Sequence, residues 1–351
     1  MGKVLMKGNE AIAQAAISAG CEGFFGYPIT PQNEVPEYMS KYLAKSGGVF
    51  VQAESELAAI NMVYGAAAAG ARVMTSSSSP GIALKQEGIS YCAGAQLPVV
   101  IVSISRGGPG LGGILPSQGD YNQATRGGGN GDYRVIVLAP NGVQEATDMV
   151  RHAFKLADAY RIPVMVMADG IIGQMMEPVE IDTTPIPKAP NLWAATGQGK
   201  RAHTNMVNSM HLDPYELEDH NILLNNKYLE IAKNETDYEK YLCDDAEVLI
   251  VAYGTPSRIV KSAIKTLREE GIKAGLFRPK TLVPYPFEAL HEASKSVKFV
   301  LVTELSMGQM IVDVKVAVNG LVPVHFYGRT GGVIFEPKEI VDAVKSHLGG
   351  K

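Results

Sequence analysis

Two kinds of hydrophobic spacing alternate along the first half of this chain. One is helical: in GNEAIAQAAISAG (8–20), Ala11, Ala15, Ala16 and Ala19 recur on one face, and Gly20 supplies a stop. The other is the short unbroken apolar run of a buried strand, as in LPVVIVSIS (97–105). The pattern predicts strands within 21–28, 48–55, 71–79, 97–105, 133–140 and 162–170. Helices are predicted over 8–20, 32–47, 56–70, 80–96 and 143–161, the fourth opened by Pro80 at its first position. Residues 107–131 are read as glycine-rich loops. Strand and helix in alternation with short turns predict an α/β unit with a mostly parallel sheet, spanning 1–185.

The pattern then breaks. Residues 186–245 begin proline-rich and extended and continue into a charged helix over 221–242, which reads as a connector packed on a neighbour. Alternation resumes at AEVLIVAYGT (246–255), followed by helix 256–271, strand and loop 272–286, helix 287–296 and strand 297–305. Residues 246–351 therefore form a second, smaller α/β unit.

Composition narrows the function. With 46% hydrophobic and 19% charged residues, the chain is of ordinary globular type. A net charge of −4 offers no electrostatic reason to expect nucleic acid. No apolar run approaches the roughly 18 residues of a membrane span, and the N-terminus has no signal-peptide core, so a cytoplasmic protein is expected. The three cysteines, Cys21, Cys92 and Cys243, are far apart, so neither zinc nor an iron–sulfur cluster is expected on this chain alone.

GPGLGG (108–113) satisfies G-x-G-x-x-G, but no helix pattern follows it, so a dinucleotide site is not expected. The stretch FFGYPITPQNE (24–34) fixes its backbone with Gly26, Pro28 and Pro31 around one hydroxyl, Thr30. A rigid turn with an exposed threonine, or a hydroxyl held ready for a ligand, would both use it. VQAESELAAINMVYGAAAAG (51–70) runs a strand into a helix whose first turn carries Glu56, with Ser55 placed as N-cap. Capping physics alone favours an acid there, so Glu56 has a structural use as well as a chemical one. Arg106 ends a strand at the mouth of the sheet, where open α/β folds bind ligands; it is either a surface arginine or a carboxylate clamp.

Taken together, ELAAINMVYG, GYPITP, QAESE, TSSSSPG, SRGGPGLGG and FRPKTLVPYP resemble the alpha subunit of the 2-oxoacid:ferredoxin oxidoreductases, nearest the 2-oxoisovalerate (branched-chain) branch. The resemblance implies a thiamine diphosphate pyrimidine-binding domain followed by a transketolase C-terminal-like α/β domain. It implies oxidative decarboxylation of a 2-oxoacid to acyl-coenzyme A and carbon dioxide, with electrons passed to ferredoxin. Glu56 would bond N1′ of the aminopyrimidine, a role for which Glu54 competes; the nine-residue spacing to Gly65 selects Glu56. Tyr27, Pro28, Ile29 and Thr30 would line the cofactor, with the Thr30 hydroxyl beside the substrate, and Arg106 would grip the oxoacid carboxylate. No lysine, arginine or histidine occurs from Gly107 to Tyr121, while Leu111, Ile114 and Leu115 do, which favours an apolar substrate tail over 2-oxoglutarate, the rival substrate.

The chain lacks the G-D-G signal for the diphosphate half of such a site, and any cluster motif. The resemblance therefore implies a beta subunit holding the diphosphate through Mg²⁺ and a [4Fe–4S] cluster, a gamma subunit and a ferredoxin-like delta subunit. A non-catalytic scaffold with the same fold is the alternative of another class. Arg278 and Lys280 are candidates to meet a partner or coenzyme A, against the plainer expectation of a solvated face.

Overall fold

The alternation read from the sequence folds into two parallel sheets flanked by helices in a computed structural model that describes residues 2–188 and 190–349. Residues 1, 189, 350 and 351, which belong to the three predicted segments, lie outside the described residues. The larger sheet has seven strands in the spatial order Thr281–Val283, Ile136–Leu138, Pro163–Asp169, Val99–Ser105, Val73–Ser77, Gly23–Gly26 and Val49–Gln52. All pairings in it are parallel except that of Thr281–Val283 with Ile136–Leu138. Its central strands Val73–Ser77, Val99–Ser105 and Pro163–Asp169 are buried along their whole length, which is why they read as unbroken runs rather than alternations.

The second sheet runs Val324–Gly328, Phe299–Glu304, Val248–Val251, Ala274–Pro279 and Tyr238–Tyr241, antiparallel only at the last pair. A third, two-stranded ribbon joins Val4–Lys7 to Met176–Val179. These two strands, the short helix Gly170–Gln174 and the helix Tyr121–Arg126 inside the glycine-rich stretch are additions to the sequence reading. Each is six residues or fewer, too short to show a period. The charged helix is Pro214–Asn234, capped by Asp213, rather than 221–242. Its predicted tail instead supplies Tyr238–Tyr241 to the second sheet.

The two sheets share one core. A continuous apolar cluster runs from Val99, Ile101 and Met165 through Leu282 and Tyr285 to Leu249, Val251 and Val300. The strand Thr281–Val283 crosses from the second half of the chain to complete the first sheet. Arg278 joins the halves as well. It is buried between Glu145 (2.7 and 2.8 Å) and Glu239 (2.7 Å), and Lys280 bonds Asp237 at 2.5 Å. Arg278 is spent inside the chain, because a buried guanidinium is stable only with its donors paired, which corrects the candidate reading for that residue. Lys280 stays partly exposed, in a surface ion pair with Asp237.

Candidate functional site

Parallel strands end on one side of the large sheet, and the residues singled out from the sequence lie just beyond those ends. Gly23–Gly26 leads into Tyr27–Thr30, Val49–Gln52 into Glu56, Val73–Ser77 into Ser78 and Ser79, and Val99–Ser105 into Arg106.

Glu56 is the first residue of the helix Glu56–Ala68. Ser55 caps that helix, its Oγ accepting from the Ala58 N–H at 3.1 Å. Glu56 is buried and Glu54 exposed. The carboxylate leans over Gly81, in the first turn of the helix Ser79–Gly94. A Cβ on Gly81 would strike Ser77 Oγ and come within 2.7 Å of Glu56 Oε1. A second close approach, of Gly88 to Ile60, packs the same two helices together. Glycine at 81 is thus the residue that leaves room for the carboxylate.

Thr30 and Arg106 meet. The Arg106 Nη1–H donates to the Thr30 carbonyl at 2.8 Å, and Nη2–H donates to the Leu111 carbonyl at 3.1 Å. Arg106 is 8% exposed, and its Nε–H has no partner among the described residues. Its backbone N–H donates to Ser79 Oγ (2.9 Å), which in turn donates to Asp120 at 2.5 Å; Ser105 Oγ also donates to Asp120, at 2.8 Å. Burial pushes the Asp120 carboxyl above the usual range, opposed by these hydroxyls and by Arg106. The Thr30 hydroxyl is exposed, with Asn33 Nδ2 donating to it at 3.4 Å. The Pro31 carbonyl that follows is held by Asn9 (2.8 Å) and Gln174 (3.0 Å). Tyr27 and Pro28 are exposed and Ile29 is half-buried on the same loop. The arrangement links Thr30 to Arg106, Arg106 to Ser79, and Ser79 through Gly81 to Glu56.

The glycine-rich loop closes on itself beside this group. Gly107 donates to the Leu115 carbonyl (2.9 Å), Gly113 to the Gly107 carbonyl (2.8 Å), and Arg106 bridges Pro116. Its base is bolted to the second sheet through Gln118, which exchanges bonds with the Leu305 backbone (2.8 and 3.0 Å) and donates to the Tyr253 carbonyl (3.0 Å). Leu111, Ile114 and Leu115 stand exposed at its tip.

Among the described residues, three buried side chains beside the strand ends, Gln32 through Nε2 and Ser77 and Ser78 through Oγ, lack partners, as does Arg106 Nε. Buried polar groups are rarely left so. A carboxylate at a glycine cradle, with orphaned hydroxyls beside it and a guanidinium with unspent donors, fits a polar heterocycle and an anionic substrate. Among the described residues no cluster of three or more His, Cys, Asp or Glu side chains is arranged to hold a metal.

Sequence reasoning passed over Lys85 and Asp120. Lys85 is fully buried, its ammonium donating to Thr75 Oγ1 (2.6 Å) and the Ser76 carbonyl (3.1 Å). Burial pulls its pKa down to about 7, and the Glu56 carboxylate acts in the opposite sense. The folded value lies below the unfolded one. Between about 7 and about 10 the unfolded chain therefore holds the extra proton, and stability from this site rises with pH. Below pH 7 the cost of the buried charge is fully present. Lys85→Met is thus expected to raise the melting temperature at pH 6, by on the order of 2 kcal/mol in stability, with the gain shrinking toward pH 10. Scanning calorimetry at the two pH values checks it.

Comparison with known proteins gives the family of the chain. Residues 14–237 match the pyruvate flavodoxin/ferredoxin oxidoreductase thiamine diphosphate-binding family, and 246–340 match pyruvate:ferredoxin oxidoreductase core domain II. The chain is 50% identical over 351 residues to ketoisovalerate oxidoreductase subunit VorB of Methanothermobacter thermautotrophicus, covering 99% of each. It is 38% identical to 2-oxoglutarate synthase subunit KorA of Methanothermobacter marburgensis, covering 97% of each. Among solved structures it resembles 2-oxoglutarate:ferredoxin oxidoreductase from Magnetococcus marinus with 2-oxoglutarate, coenzyme A and succinyl-coenzyme A bound. That match has a TM-score of 0.88 at 28% identity and covers 99% of this chain and 65% of that one, so this chain spans about two thirds of its length.

Proposed function

The chain belongs to the 2-oxoacid:ferredoxin oxidoreductases, and on that premise we propose that it is the pyrimidine-binding subunit of a thiamine diphosphate enzyme that decarboxylates branched-chain 2-oxoacids. It is an enzyme subunit that works with others, and its fold is the family's thiamine diphosphate-binding domain followed by core domain II. The observation that carries the reading is the buried Glu56 carboxylate over Gly81, reached through Ser79 from the Arg106–Thr30 pair.

Thiamine diphosphate, when bound, supplies the carbon nucleophile and the electron sink for decarboxylation. The residues of this chain do the rest by holding and orienting. Glu56 carries or accepts the proton at the aminopyrimidine nitrogen, in a pocket dry enough for one hydrogen bond to matter. Arg106 takes the oxoacid carboxylate on donors that Thr30 and Leu111 leave free, since a guanidinium has five N–H groups and two are spent here. The Thr30 hydroxyl is fixed beside them by a clamped proline loop. Tyr27, Pro28 and Ile29 form the rest of that wall. The uncharged loop tip with Leu111, Ile114 and Leu115 suits an aliphatic tail and offers no partner to a second carboxylate.

The remaining half of the site comes from partners. Leu57 and Met62 on Glu56–Ala68, and Leu84 and Tyr91 on Ser79–Gly94, are exposed on adjacent helices, and among the described residues nothing lies within 4 Å of a Cβ placed at Gly65. Such a face suits a beta subunit bringing the diphosphate, its Mg²⁺ and a [4Fe–4S] cluster, within a complex that also has gamma and ferredoxin-like delta subunits. Coenzyme A is the acyl acceptor and ferredoxin the electron acceptor, in the cytoplasm. Dye reduction by the assembled complex, supplied with coenzyme A, tests the substrate. Expected is a kcat/KM for 2-oxoisovalerate at least tenfold above that for 2-oxoglutarate; the reverse order would assign the chain to the dicarboxylate enzyme.

A further inference from the structure

An acidic side chain beside a clamp for an acidic substrate opposes binding unless it serves another purpose. Asp120 stands there, one serine away from Arg106. Helix capping does not account for it. Asp120 directly precedes the short helix Tyr121–Arg126, where an aspartate ordinarily accepts from the first free N–H groups. Its side chain makes no such bond. Oδ2 turns instead to two hydroxyls, accepting from Ser79 Oγ at 2.5 Å and from Ser105 Oγ at 2.8 Å.

These two serines bracket Arg106. Ser105 precedes it on the strand, and Ser79 Oγ accepts from the Arg106 N–H at 2.9 Å. Ser79 has one hydroxyl proton and two acceptors in reach, Asp120 and, at 3.3 Å, the Arg106 carbonyl. The nearer, charged acceptor takes the proton, which leaves a lone pair of the same oxygen for the Arg106 N–H. Asp120 is held in turn from the second sheet. Gln118 bonds the Leu305 backbone, and Gln309 accepts from the Asn122 N–H (2.7 Å) while donating to the Gly119 carbonyl (2.6 Å). We infer that Asp120 is a positioning residue for the proposed substrate clamp: by taking the Ser79 and Ser105 protons it locks the end of the strand Val99–Ser105 and so sets where the Arg106 guanidinium presents its remaining donors. The inference rests on the reading of Arg106 given above.

The test is steady-state kinetics of the assembled complex with 2-oxoisovalerate and with the matching aldehyde, 2-methylpropanal, which has no carboxylate. Asp120→Ala should raise KM for the oxoacid roughly tenfold, hold kcat within about twofold, and leave KM for the aldehyde nearly unmoved. Asp120→Asn, which keeps a neutral acceptor, should act the same way by less, and it carries the test if Asp120→Ala does not assemble. The sign discriminates: were Asp120 merely a negative charge near the clamp, both substitutions would lower KM for the anionic substrate. Ser79→Ala should also raise that KM, and Asp120→Ala should cost less in the Ser79→Ala background than alone, because the two act through a shared bond. An oxoacid KM that falls or stays in both Asp120 variants, or rises equally for the aldehyde, would overturn this inference alone so long as Arg106→Met is selectively impaired on the oxoacid. An Arg106→Met defect equal for both compounds would overturn the reading of Arg106 and this inference with it.

Discussion

Glu56→Gln is expected to lower turnover of the assembled complex by about 10²–10⁴-fold while leaving its assembly and melting temperature close to those of the wild type. Glutamine fills the same space over Gly81 and keeps a hydrogen-bonding carbonyl, but it cannot hold a proton for the aminopyrimidine. The loss should fall on kcat, because the interaction matters most when charge develops on the ring. The substitution also removes the one charge that opposes the effect of burial on Lys85, so the proton affinity of that amine should fall further. Single-turnover and steady-state assays on the same preparation separate these effects. Full turnover in Glu56→Gln would instead fit a non-catalytic scaffold.

Arg106→Met is the second substitution with a large expected effect, a fall in kcat/KM of about 10²–10³-fold, which corresponds to about 3–4 kcal/mol. Two losses add. The oxoacid carboxylate loses its clamp, and the Thr30 and Leu111 carbonyls lose the donors that tie the proline loop to the glycine-rich loop. Arg106→Lys should recover only a small part, since an ammonium cannot span two carbonyls and still present a fork to substrate. Comparing a 2-oxoacid with the matching aldehyde, which lacks the carboxylate, distinguishes the losses: the variant's defect should be much smaller for the aldehyde. An equal defect for both would place Arg106 in loop architecture alone.

Much of this was legible in the sequence, for physical reasons that differ between elements. The fully buried strands announce themselves as apolar runs, and Ser55 before Glu56 marks a helix start whatever the acid does next. The strand Thr281–Val283 was not legible as part of the first sheet, because its partner, Ile136–Leu138, lies far away in sequence and pairing is a tertiary fact. Tyr238–Tyr241 was hidden at the end of a charged helix for the same reason. Within the site, Thr30, Glu56 and Arg106 could be picked out because each sits at a strand end beside proline, a cap or glycine. Lys85 could not. Its helix, Ser79–Gly94, carries small residues on several faces, so no stripe shows which side is inward, and a lysine there reads as solvated. Asp120 was lost in glycine-rich sequence whose chain reversal brings it back under Ser79.

The placement of Thr281–Val283 bears on how such proteins can be recombined. The boundary drawn by the linear sequence is not a seam in three dimensions, for three residues of the later half serve as the selvedge of the earlier half's sheet. Exchanging the later half between relatives of different substrate preference therefore also exchanges the edge strand of the earlier half's sheet. A graft that respects the physical join would carry 281–283 with its host sheet, together with the Arg278 pairing to Glu145, and swap what remains.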